Sequence, residues 1–109
     1  MTNPRQSFLG TCFEEAISYV RVAIIGLGGG GSHASQQFAH IGLLNPVGFD
    51  FDRVDKEGTN LNRLVGATAK DAEEETLKTE VAERLYRGLL PRAQIRFFPE
   101  RWQDRAEEL

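Results

Sequence analysis

Five glycines fall within the six residues Gly26-Leu27-Gly28-Gly29-Gly30-Gly31, and this run constrains the fold more than any other feature of the chain. So little side chain offers nothing to pack, and so much backbone freedom is costly to lose inside a helix or strand. The run therefore reads as a loop. Before it lies Val20–Ile25, VRVAII, a short β-branched stretch of the kind buried on both faces of a parallel sheet. After it, Ala34, Phe38 and Ile41 form one apolar stripe over Ser32–Ile41, and Gly42 stands where a helix would stop. Strand, glycine loop and helix in immediate succession give the spacing Gly26-x-Gly28-x-x-Gly31 its meaning. The first glycine permits a tight turn, the second lets backbone approach a phosphate, and the last lets the helix pack on the strand. Phosphate oxygens would then sit on free N–H groups at the positive end of the helix dipole.

The elements that follow extend the same alternation. Phe8, Cys12, Phe13, Ala16 and Ile17 are spaced as one face of a helix over Phe8–Tyr19, which makes residues 1–19 an N-terminal helical arm ahead of a binding domain at 20–109. After the turn signal Asn45-Pro46, a second strand runs from Val47 to Asp52, and the polar segment Arg53–Ala69 reads as a long functional loop. A third helix is predicted from Lys70 or Asp71 to Pro91, with acids in its first turn and an apolar row at Leu77, Val81 and Leu85. Ile95–Phe98 reads as a third strand, and Glu100–Leu109 as a charged tail. The alternation predicts an α/β fold, a Rossmann-like three-layer sandwich around a parallel sheet with right-handed crossovers.

Asp50 and Asp52 end the second strand some twenty residues after the glycine loop, where a carboxylate commonly accepts hydrogen bonds from ribose hydroxyls. Asp50 is the better placed by this reading. A dinucleotide and ATP both lay a pyrophosphate on such a helix, so these features alone do not separate them. Thr59-Asn60-Leu61-Asn62-Arg63 and Lys78, expected about two turns into the third helix, tilt the balance. One guanidinium and one ammonium at the mouth of a phosphate loop would neutralise a triphosphate and the charge developing at its α-phosphate.

Composition narrows the partners. With 40% hydrophobic and 27% charged residues the 109-residue chain is an ordinary globular sequence, and its formal net charge of −3 with scattered basic residues argues against nucleic acid. No apolar run approaches the roughly 20 residues that span a bilayer, and the N-terminus lacks a signal-peptide pattern, so the cytoplasm is the default location. The single cysteine, Cys12, reads as a small core residue. His33, Gln37 and His40 share a helical face and read as polar surface. Trp102 with Phe97 and Phe98 reads as core or docking surface.

The ordered set VAIIGLGGGGS, GFDFDRVDKEGTNLNRL and a lysine followed by EVAERL and a proline resembles the ThiF/MoeB/HesA and ubiquitin-activating superfamily over about residues 20–98. That family shows a strand, GxGGxGS, DxDxV, NLNRQ and a KxxxA helix. The resemblance implies that Gly26, Gly28, Gly29, Gly31 and Ser32 bind the nucleotide together with Asp50 and Asp52, with Asp50 on the ribose. It implies that Asn60, Arg63 and Lys78 engage the phosphates, Arg63 and Lys78 being the catalytic pair, and that Arg5 reaches into a partner subunit's site. The implied cofactors are ATP and Mg2+. The implied reaction is adenylation of the C-terminal carboxylate of a ubiquitin-like or sulfur-carrier protein, as in ubiquitin-like modifier activation.

The stretch DRVDKEGTN is about two residues longer than the family's usual form. The resemblance also expects, beyond Leu109, a fourth strand, a metal-binding aspartate, CxxC zinc pairs and a catalytic cysteine. In the family's strand order 3-2-1-4 the fourth strand pairs with the first, so Val20–Ile25 should present an apolar edge and favour a homodimer or larger assembly. The competing readings are a nicotinamide- or flavin-binding domain of an oxidoreductase and a non-catalytic module that binds a protein partner.

Overall fold

A computed structural model describes residues 15–17, 19–57, 61 and 63–109. Three short strands, β1 (Val22–Ile25), β2 (Pro46–Phe49) and β3 (Arg96–Phe98), form a parallel sheet in the order β1-β2-β3. They alternate with helices α1 (Gly29–His40), α2 (Ala69–Glu74) and α3 (Lys78–Leu89), and a 3-10 helix follows at Trp102–Glu108. This is the expected α/β, Rossmann-like parallel arrangement. Of the N-terminal helix expected over 8–19, Glu15–Ile17 are helical and Tyr19 lies in a turn, while residues 8–14 and 18, Cys12 among them, and Arg5 lie outside the described residues.

β2 is buried at all four positions, as a central strand must be, whereas β1 lies at the sheet edge with Ile25 58% exposed. Side chains alternate across the sheet. Ile24 faces α1 and α3 and packs with Leu27 and Ala82, joined by Phe38 and Phe97. A second cluster of Ala39, Tyr86 and Ala93 continues this core, where the ring of Tyr86 meets Phe97 edge-on and its hydroxyl donates to the Leu43 carbonyl. On the opposite face Phe49 stacks on Phe98 at 5.5 Å between ring centroids, and the guanidinium of Arg105 caps the Phe98 ring at 4.7 Å. The 3-10 helix thus covers part of the second face. The charged tail is therefore structured.

Four sequence expectations shift. The helix begins at Gly29, inside the run read as a loop, because the glycines there serve close approach to β1. The buried face of α1 is Ser32, Ser35 and Ala39, small residues that let the helix sit close to α3 and the sheet, while Ile41 is 43% exposed. The second strand ends at Phe49, so Asp50 and Asp52 stand just past it.

The largest correction concerns the third helix, which is two helices. Thr68 caps α2 in a reciprocal box: its hydroxyl accepts from the Asp71 amide and its own amide donates to the Asp71 carboxylate. Glu75 then takes a left-handed conformation, φ 51°, and stops the helix. The chain pairs there with the segment after β2, since Val54 N–H donates to Thr76 O and Lys78 N–H to Asp52 O, with Arg53 and Leu77 bridged antiparallel. Lys78 consequently opens α3 and does not lie two turns inside a longer helix. The polar crossover is anchored by a third cluster, Val54, Leu64, Ala72 and Val81.

Candidate nucleotide site at the carboxyl ends of the strands

In a parallel α/β sheet the carboxyl ends of all strands open on one side, which is where ligands bind. At that side β1 turns sharply: Gly26 has φ +91°, a conformation that disfavours any side chain, and its N–H still donates to Phe49 O at 2.8 Å. Gly31 is required for a different reason. A Cβ there would lie 1.7 Å from the carbonyl oxygen of Gly26, so only glycine lets the first turn of α1 rest on the end of β1. The N-cap, Gly28, offers no side-chain hydrogen bond and the first turn carries no acid. The amides of that turn therefore meet no competing carboxylate from their own helix, and the dipole's positive end faces the cleft.

Asp50 fixes the loop in place. It is 9% exposed, and its carboxylate accepts from Leu27 N–H and from Asp52 N–H, both at 2.8 Å. A carboxylate has about four lone-pair sites, so two remain after these bonds. Asp50 also lines a cavity of about 300 Å³ together with Gly26, Asp52, Phe51, Arg101 and Trp102. Asp52 is exposed and stands 3.8 Å from the Lys78 ammonium.

A second cavity, of about 180 Å³, is lined by Gly28, Gly29, Arg63, Leu64 and Lys78. A Cβ at Gly28 would stand 3.9 Å from Lys78 Nζ, and one at Gly29 would stand 3.7 Å from Arg63 Cβ. Lys78 is thus brought to the glycine turn by its ammonium, and Arg63 by its backbone and Cβ. Lys78 owes its place to the Asp52–Lys78 backbone bond that starts α3.

Ser32 is placed differently. It is 3% exposed and its hydroxyl serves the crossover loop, donating toward Gly29 O and Arg63 O and accepting from Val65 N–H. Asn60 and Arg5 lie outside the described residues. His33 and His40 are exposed, as expected of polar helix surface, and among the described residues no group of histidines, cysteines and acids is arranged to hold a metal by itself. Sequence reasoning missed Arg101 and Trp102 as cleft residues. The available signal was topological: they follow β3, whose carboxyl end must open beside those of β1 and β2.

A glycine turn between the first strand and its crossover helix, an acid just past the second strand and two basic residues lining a cavity with the turn define a Rossmann-like domain of the nucleotide-binding type. The model of the ThiF family matches residues 3–109, and the chain belongs to that family. Among solved structures it is similar to the E. coli protein MccB determined with succinimide, at a TM-score of 0.80 and 23% identity, covering 99% of this chain and 35% of that one. It is similar to the microcin C7 biosynthetic enzyme MccB in complex with N-formylated MccA, at 0.73 and 26%, covering 81% and 24%. It is also similar to E. coli tRNA N6-threonylcarbamoyladenosine dehydratase, TcdA, in complex with ATP, at 0.75 and 24%, covering 94% and 45%. The chain thus spans less than half the length of each of these proteins. No curated protein matches it in sequence. No helix of the described residues is long and apolar enough to cross a membrane.

Proposed function

We propose that this chain binds ATP across the carboxyl ends of β1 to β3 and supplies the nucleotide-binding part of an enzyme that adenylates a carboxylate. One observation carries the reading: Arg63 and Lys78, from different elements, line the same small cavity as Gly28 and Gly29. The amides at the start of α1 receive phosphate oxygens. Asp50, aimed by its two backbone bonds, accepts the ribose hydroxyls with its remaining lone pairs. The base lies in the cavity walled by Phe51 and Trp102.

In the reaction a substrate carboxylate oxygen bonds to the α-phosphorus, the bond from that phosphorus to the bridging oxygen breaks, and pyrophosphate leaves with the electron pair. Arg63 and Lys78 hold the charge that builds on the α-phosphate oxygens. Asp52, exposed beside Lys78, fits Mg2+, which takes one or two carboxylates and completes its shell with phosphates and water. When bound, the ion would neutralise the departing pyrophosphate. The acceptor we favour is the C-terminus of a ubiquitin-like or sulfur-carrier protein. The MccB complex with MccA supports a protein acceptor, and the net charge of −3 weighs against a tRNA-linked one of the kind TcdA's name describes. Ile25, exposed on the edge strand β1, is apolar surface that a further strand or a second copy of the chain would cover.

Isothermal titration tests the site. Mg-ATP binds, NAD does not, and Arg63→Ala weakens ATP at least about tenfold, the scale of one charge-assisted phosphate contact. Heat from NAD, or none from ATP, refutes the proposal in favour of the oxidoreductase or the non-catalytic reading.

A further inference from the structure

We infer that Ser32 is a positioning residue for Arg63 and does not itself bind phosphate. The inference rests on the nucleotide reading above and concerns how the site holds its cation. From the motif alone Ser32 belongs with the nucleotide ligands, since it follows the last glycine at the start of α1. In the structure Ser32 lines neither cavity of the cleft, and its hydroxyl is engaged by the backbone around it. Its proton is shared between Gly29 O at 3.0 Å and Arg63 O at 3.3 Å, and its oxygen accepts the Val65 amide at 3.2 Å. One buried hydroxyl therefore grips the crossover on both sides of Leu64, across sequence separations of 31 and 33 residues, and ties it to the turn of α1 that faces the phosphates.

Leu64 between the two gripped positions is 4% exposed and packs with Val54, Ala72 and Val81. That apolar anchor fixes how deep the loop sits. An apolar contact has no direction, however, and it leaves rotation of the loop about Leu64 unspecified. Hydrogen bonds are directional and supply the missing constraint. With Arg63 on one side and Val65 on the other, the hydroxyl sets the peptide orientation at the base of the Arg63 side chain. Small displacements of a charged group from its phosphate are costly in a site that works by preorganised electrostatics.

A double-mutant cycle on the full chain separates this role from a direct contact. ATP affinity is measured by titration for the parent protein, Ser32→Ala, Arg63→Ala and the pair, with thermal midpoints recorded alongside. Ser32→Ala is expected to weaken ATP about fivefold to tenfold, the loss of one to two hydrogen bonds' worth of ordering. In the Arg63→Ala background the same change should weaken it less than about twofold, because the group being positioned is gone. If Ser32→Ala fails to fold, Ser32→Cys keeps the volume with a weaker donor and is read in the same cycle. Equal losses in both backgrounds overturn the inference while leaving the nucleotide site intact. An Arg63→Ala variant that binds ATP as well as the parent overturns the role of Arg63 itself, and the inference with it.

Discussion

The two walls of the cleft are built by different means. On one side, β1, the glycine turn and α1 are fitted together mainly by backbone, through the turn at Gly26 and the approach of Gly31 to Gly26, with one side-chain clamp, that of Asp50 on the Leu27 amide. On the other side, residues 50–78 carry Arg63 and Lys78 and are held by side chains from distant positions. Ser32 grips the loop at Arg63 and Val65, and Arg84 holds the stretch just beyond by donating to Gly66 O at 2.9 Å and pairing with Asp71 at 2.6 Å. The first wall rests mostly on backbone geometry. The second is a set of polar clamps that a single substitution can open.

The contrast breaks most sharply at Gly31. Adding one methyl group in Gly31→Ala puts carbon 1.7 Å from a carbonyl oxygen of the neighbouring backbone, which no rotamer change relieves. The helix must lift off β1, at a cost of about 3 kcal/mol or more by the scale of severe overpacking, and the phosphate-facing amides move with it. Chemical denaturation should show the loss of stability, and titration a loss of ATP binding. A variant of near-parent stability would mean that the helix start is not seated as described.

Opening a clamp on the second wall should cost less and depend on pH. The Arg84 guanidinium beside Asp71, helped by Thr68, holds the carboxyl down at about 2, against an ordinary 3.8. A carboxyl depressed in the folded state takes up its proton first in the unfolded chain. Its stabilisation is therefore complete above about pH 5 and drains away as pH falls through 4 toward 2. Asp71 is buried but the Arg84 side chain is 53% exposed, so solvent screens part of the attraction and about 1 to 2 kcal/mol is expected. Thermal midpoints from pH 6 to pH 2.5 should fall more steeply for the parent than for Asp71→Asn. Parallel curves would show that the pair does not hold the loop.

The same division explains what could be read from the sequence. The first wall was legible because its requirements are local: VRVAII, the glycine spacing and the acid after the next strand lie within some thirty residues and each has one steric or electrostatic reason. The helix start was missed by three residues because a glycine run has no apolar periodicity even when it is helical. The second wall was legible in its cations but not in its construction. AKDAEEETLKTEVAERL has no glycine or proline to mark a break, and the break follows from the pairing of Val54 with Thr76. Thr68-x-x-Asp71 did carry a capping signal, which the reading of Asp71 as a first-turn acid passed over. Ser32 and Arg84 act across 13 to 33 residues, and no local pattern announces such contacts.

Glu75 sharpens the comparison with the smallest effect. It is the one described residue other than glycine with positive φ, 51°, and it sits at the break that delivers Lys78 to the cleft. A side chain there costs on the order of 1 kcal/mol relative to a right-handed conformation, and glycine removes that cost. Glycine also gives the unfolded chain more freedom to lose, which offsets much of the gain. The contact Glu75 makes to Arg53 is through its backbone carbonyl and survives the change. Glu75→Gly should therefore raise stability by a few tenths of a kcal/mol, read as a small increase in the urea midpoint with an unchanged slope. Glu75→Ala keeps the strained conformation and should not share the gain. A glycine variant that instead loses 1 kcal/mol would show that the residue is helical in solution. Then α2 and α3 would be continuous, and Lys78 would be carried away from the glycine turn.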